Sequence, residues 1–109
     1  MRYIYMPLTK DFKATVMIRA HRDKDFCKAM LTEAINELFT GDIDLGKSIL
    51  RDYINATISF EILSTIVDKN PKSLMRMLGP KGNPTSKSLF EIFHAIQKLK
   101  KMKIAISLK

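Results

Sequence analysis

The 109-residue sequence predicts an all-α domain, a bundle of five to six helices followed by one short C-terminal strand. Three observations carry this expectation. Apolar residues recur at three- and four-residue spacing through most of the chain. Glycine and proline are few, four of each, and fall at the joints between these stretches. Almost every stretch follows an Asp, Asn, Ser or Thr able to cap a helix.

Thr9 caps the first expected helix, residues 10–22, with Asp11 favourable to the helix dipole and Phe12, Val16 and Ile18 on its apolar side. Asp23 caps the second, in which Phe26, Cys27, Met30, Leu31, Ala34 and Leu38 form a stripe that Gly41 ends. Asp42 or Asp44 caps the third, whose stripe is Leu45, Ile49, Tyr53 and Ile54. The stretch "NATIS" is expected to break it, because Asn, Thr and Ser compete for backbone hydrogen bonds. Ser59 caps the fourth, with Phe60, Leu63, Ile66 and Val67 facing inward. After the three-residue turn "DKN", Asn70 caps the fifth, and Pro71 suits its first position because no N–H is needed there. Leu74, Met77 and Leu78 give this helix its apolar side; Gly79 and Pro80 end it. "GPKGNPTS" reads as a loop. Thr85 or Ser88 caps the sixth helix, Ser88 and Glu91 having capping-box spacing, with Leu89, Phe90, Phe93, Ile96 and Leu99 as its stripe. The tail "KIAISL" alternates like a strand, to be paired with a second copy or with the N-terminal "RYIYM".

Such a length supports one compact core. No apolar run approaches the ~20 residues of a membrane span. The opening "MRYIYMPLTKD" has neither the apolar stretch nor the cleavage site of a signal peptide. Cys27 is the sole cysteine, which precludes an internal disulfide. The expected compartment is the cytoplasm.

Net charge is +8, and it is unevenly placed. Residues 1–68 hold nine Lys/Arg against ten Asp/Glu, a net of −1. Residues 69–109 hold ten Lys/Arg against Glu91 alone, a net of +9. A basic half of this kind suits a polyanionic partner.

The fourth and fifth helices, joined by a short turn, have the outline of a helix-turn-helix. With Ser64 as the small residue of close approach, the tight-packing positions fall on Leu63, Val67, Leu74 and Met77, all apolar. A recognition helix offers its first turns to base edges. Here those turns bring Asn70, Pro71, Lys72 and Ser73, then Met75 and Arg76 on the outward side. Lys72 and Arg76 are four apart, so they share a face; Arg76 can pair with guanine through two parallel donors. The amides after Ser59 and Asn70 suit phosphate oxygens. Lys69, Lys81, Asn83 and Lys87 flank the unit as grips on the DNA backbone. Asp68, where glycine is common, tolerates a left-handed turn but puts a negative charge beside the duplex.

The stretch from residue 42 to 108, above all "PKSLMRML" followed by "GNPTSKSLFEI", resembles HigA-like antitoxins within the broad Xre/Cro group of regulators. The resemblance implies a five-helix, lambda repressor-like DNA-binding domain, usually dimeric. It also implies repression of the protein's own operon at a palindromic operator and neutralisation of a RelE/HigB-like ribonuclease toxin. The recognition role falls on Pro71, Lys72, Ser73, Met75 and Arg76, and the loop role on Lys81 and Asn83. Ser64 and Asp68 depart from the common Ala and Gly. Residues 1–41 are then an N-terminal extension for dimer or partner contacts, and residues 42–109 the DNA-binding domain.

Enzyme chemistry has no constellation behind it. His21 and His94 lack metal-ligand spacing, no phosphate-cradling loop is present, and Glu33 with Glu37 reads as a solvated helix face. The seven methionines suit packing. The expectation is a sequence-specific DNA-binding repressor, the antitoxin of a type II toxin–antitoxin pair, homodimeric, without cofactor or metal. The alternative is a protein-interaction module that sequesters a toxin or another partner with little DNA binding. A non-specific RNA binder is less favoured, since aromatics for base stacking are few.

Overall fold

The computed structural model describes residues 23–109. Five helices lie within them: α1 (Lys24–Thr40), α2 (Ile43–Thr57), α3 (Phe60–Ser64), α4 (Pro71–Met77) and α5 (Ser86–Lys100). The class is all-α, with no strand among the described residues. The helix expected after Thr9, the "RYIYM" segment and His21 lie outside the described residues.

Capping sets most of the boundaries. The Asp23 carboxylate accepts from the Phe26 N–H at 3.1 Å and starts α1. Gly41, at φ 97°, ends it with the left-handed residue that lets Asp42 N–H return to the Glu37 carbonyl. Asp42, rather than Asp44, then caps α2 through Leu45 N–H at 3.2 Å. Only two residues separate α1 from α2, so the helices fold back on one another and make the most extensive contact of any pair. Gly46 permits this approach: a Cβ there would meet two Leu38 side-chain carbons at 2.6 and 2.7 Å.

The "NATIS" break comes later than expected. Asn55, Ala56 and Thr57 remain helical, because the Thr57 hydroxyl donates back to the Tyr53 carbonyl at 2.7 Å and supports the last turn. Ser59 makes the break. Its N–H bonds the Ile54 carbonyl at 2.8 Å, its Oγ accepts from Ile62 N–H, and its backbone sits at φ 81°, ψ 151°. That region is almost reserved for glycine, so Ser59 holds backbone strain in order to end α2 and cap α3 together.

One core cluster draws on every helix: Met30 and Ala34 from α1, Ile49, Leu50, Tyr53 and Ile54 from α2, Phe60 and Leu63 from α3, Leu74 from α4, Ile92, Ala95 and Ile96 from α5. Helix α1 is therefore built into the same core as α2 rather than standing beside it. Burial pushes the Tyr53 phenol up to about 12, because the phenolate would have to form out of water. Cys27 is buried, and burial likewise raises its thiol pKa.

Three expectations about faces give way. Glu33 is buried in α1 rather than solvated. Ile66 lies beyond the end of α3 and is exposed. Phe90 is 66% exposed, whereas Ile92 and Ala95 are buried. Thr85, not Ser88, caps α5, its hydroxyl accepting from Ser88 N–H at 3.1 Å; this sets a rotation that presents Ile92, Ala95 and Ile96 to the core. Helix α5 closes at Lys101, in the left-handed conformation at φ 51°. The tail beyond is not a strand, since its backbone has no partner strand among the described residues.

Candidate nucleic-acid interface

The expected DNA-reading unit spans α3, the connector after it and α4. Helix α3 is short: its backbone tightens at once, Thr65 N–H bonding the Ile62 carbonyl and Ile66 N–H the Leu63 carbonyl, each at 3.1 Å, while the Ser64 and Thr65 hydroxyls donate to the Glu61 and Ile62 carbonyls, each at 2.6 Å. The connector thus covers residues 65–70 and is longer than the three-residue "DKN" turn. Val67 anchors its middle in the core, and Asp68, Lys69 and Asn70 stay exposed. Asn70 Oδ1 accepts from Ser73 N–H at 2.8 Å and starts α4, with Pro71 at its first position.

Leu63, Val67 and Leu74 are buried and Met77 is half-buried. Helix α3 packs chiefly against α4 and also touches α2 and α5. On the other side of α4, Lys72 and Arg76 are exposed, about 6 Å apart along the axis. Ser73 is half-buried beside them. Met75, expected on the outward side with Arg76, instead packs partly buried against the core. The turn amides are less available than expected: the Ile62 and Ser73 N–H groups are already taken by the Ser59 and Asn70 side chains.

Lys69, Lys81, Asn83 and Lys87 are all exposed around this unit, with Ser59 and Pro71 half-buried. None of Lys69, Lys72, Arg76, Lys81 or Lys87 forms an ion pair with another described residue. Within residues 59–87 the only acids are Glu61 and Asp68, both exposed.

What positions Lys81 and Asn83 is a residue the sequence reading passed over. Lys47 of α2 is 97% buried, only 3% of its surface remaining exposed, and its ammonium donates to the Gly79 carbonyl at 3.2 Å and the Gly82 carbonyl at 2.6 Å. Asp44 completes the site at 3.5 Å. The loop after α4 is thereby tied to the core helix. Gly82 lets it lie close: a Cβ there would overlap the carbonyl oxygens of Arg76 and Met77. A sequence signal for Lys47 existed. It stands three residues before Leu50 and seven before Ile54, on the buried stripe of α2.

No protein family matches the chain, and neither the curated proteins nor the solved structures compared with it include a match. Among the described residues no group of three His, Cys, Asp or Glu side chains could hold a metal, and no helix is long and apolar enough to cross a membrane.

Proposed function

We propose that the chain is a cytoplasmic, sequence-specific DNA-binding repressor acting as a homodimer, and the antitoxin of a type II toxin–antitoxin pair. The observation that carries the DNA reading is α4 itself. Its buried side, Leu74 with Leu78 just after it, fixes the helix, while Lys72 and Arg76 stand exposed and unpaired among described residues on the other side. Lys72, Ser73 and Arg76 then read the major groove, and Asn70, Pro71 and Met75 place them. Lys69, Lys81, Asn83 and Lys87 take the DNA backbone, and Ser59 sets α3. Half-sites one helical turn apart, ~34 Å, would serve the two copies.

The antitoxin part rests on the resemblance of residues 42–108 and on the need for a partner gene. A small basic RelE-like reading frame beside this one supports it; a neighbourhood without one leaves a plain repressor. The DNA part is tested by substitution. Arg76→Ala should cost about 1–3 kcal/mol on the selected duplex and relax preference at one base pair. Unchanged duplex affinity in the Lys72→Ala/Arg76→Ala double variant would remove α4 from the interface.

A further inference from the structure

We propose that a second copy of this chain covers the apolar groove between α1 and α5, forming a two-fold dimer in which the two C-terminal tails pair edge to edge. The inference deepens the proposed function, since it names the surface through which two recognition helices would be joined. The groove is a cleft of about 380 Å³, walled by Phe39 of α1, Ile43 of α2 and Phe90 and Phe93 of α5, with Ile104 and Ile106 of the tail along it. None of its described lining residues is charged. Phe39, Phe90 and Ile106 are each about two-thirds exposed, at 65%, 66% and 68%. Water-facing apolar side chains gathered at one place mark a contact surface rather than chance exposure.

The tail identifies the occupant. Ile104 N–H is held by Gln97 Oε1 at 2.9 Å, which fixes where the tail leaves α5. Ile104 and Ile106 line the groove while Ala105 and Ser107 do not, the two-residue alternation of an extended segment. In such a segment the backbone groups of Ala105 and Ser107 point opposite to the Ile104 N–H, away from α5. No hydrogen bond engages the backbone of residues 105–109 among the described residues. A free edge of this kind is a template for another strand. Leu108, 93% exposed just beyond the groove, belongs to the same alternating row.

Groove and free edge lie side by side on one chain, and that is the requirement of an isologous contact: each copy offers the patch and its complement. Charge does not oppose the same occupant: the described groove residues are uncharged, so two copies meeting there bring no like charges into contact. No residue of α3 or α4 lines the groove, so pairing there leaves Lys72 and Arg76 uncovered.

Sedimentation equilibrium of the full chain without DNA tests the proposal. The wild type should show twice the protomer mass of 12.5 kDa. Phe90→Asp/Ile106→Asp should show the protomer mass with helical circular dichroism retained, because both side chains are exposed, and should melt lower than the wild type only by what the lost association contributes. Ser107→Pro, which removes one edge donor and touches no core residue, should weaken the dimer at least tenfold. A monomeric wild type, in which residues 1–22 or nothing covers the groove, overturns the proposal, as does a double variant that remains dimeric. A dimer that dissociates as described yet ignores duplex DNA leaves the surface standing and refutes the DNA reading instead.

Discussion

Lys47 and Arg76 are both basic residues on helices, but their surroundings give them opposite duties. Arg76 is exposed and unpaired within the described chain; Lys47 is buried and bound to two loop carbonyls. Removing the Lys47 ammonium takes the donor from the Gly82 carbonyl and leaves the Gly79 carbonyl with the Gly82 N–H alone, and an unsatisfied buried acceptor costs about 1–3 kcal/mol. Lys47→Met, of similar length, should therefore lower unfolding stability by about 2–3 kcal/mol in urea titration. Asp44→Asn should change it by less than about 1 kcal/mol, because Asp44 is exposed and its ion pair is screened. Duplex affinity of folded Lys47→Met should also fall, since Lys81 and Asn83 lose their anchor. Equal effects of the Lys47 and Asp44 changes would show that the lysine serves the ion pair and not the loop.

At the scale of elements, what could be read from the sequence was what a short window dictates. Asp23, Asn70 and Gly41 act as expected because a cap depends on residues within one turn of it. The stripes of α1 and α2 were legible because long amphipathic helices repeat their signal several times. The length of α3 was not, because the chain tightens into three-residue turns at Thr65 and Ile66, which no apolar spacing announces. On α5 the expected Ile96 is buried and Leu89, Phe93 and Leu99 pack against the core, but Phe90 is exposed where Ile92 and Ala95 are buried: Phe90 is more apolar than Ala95, yet only tertiary packing decides which of them faces the core. In the candidate site, the shared face of Lys72 and Arg76 follows from four-residue spacing and the burial of Lys47 from its place on the α2 stripe, but the partners of Lys47 and the role of Gly82 were not legible, since each acts across more than thirty residues or against a loop backbone. Glycines at two element joints make this measurable. At Gly46 an added Cβ meets chiefly the Leu38 side chain, which has some freedom to shift, with the Ala34 carbonyl oxygen further off at 3.1 Å; at Gly82 it overlaps backbone carbonyls, which cannot turn aside. Gly46→Ala should cost about 1 kcal/mol, its strain partly offset by better helix propensity, and Gly82→Ala about 2–3 kcal/mol. Thermal unfolding of the two variants should keep that order; the reverse order would place the tight joint between α1 and α2 instead.

For the whole molecule, charge separation offers the sharpest division between groove reading and simple attraction to a polyanion. The basic half carries two groups of lysines. Lys69, Lys81 and Lys87 surround α4, whereas Lys100 and Lys101 join Lys24 and Lys28 around a separate cleft that no residue of α3 or α4 lines. If one lysine meets one phosphate, a dimer engages about six phosphates through the first group, and log K against log salt should fall with a slope of about −5. Lys81→Ala/Lys87→Ala removes four of these contacts and should flatten the slope by about 3 to 4. Lys100→Gln/Lys101→Gln takes the same charge from the chain but should leave the slope nearly unchanged if the proposed groove reading, which puts the duplex on the α4 side, holds. Simple attraction makes no such distinction: any two lysines would matter alike. Fluorescence anisotropy over a salt series, with each double variant on one duplex, separates the two. Equal flattening by both variants would mean that the net charge, and not the placement of α4, brings the protein to DNA.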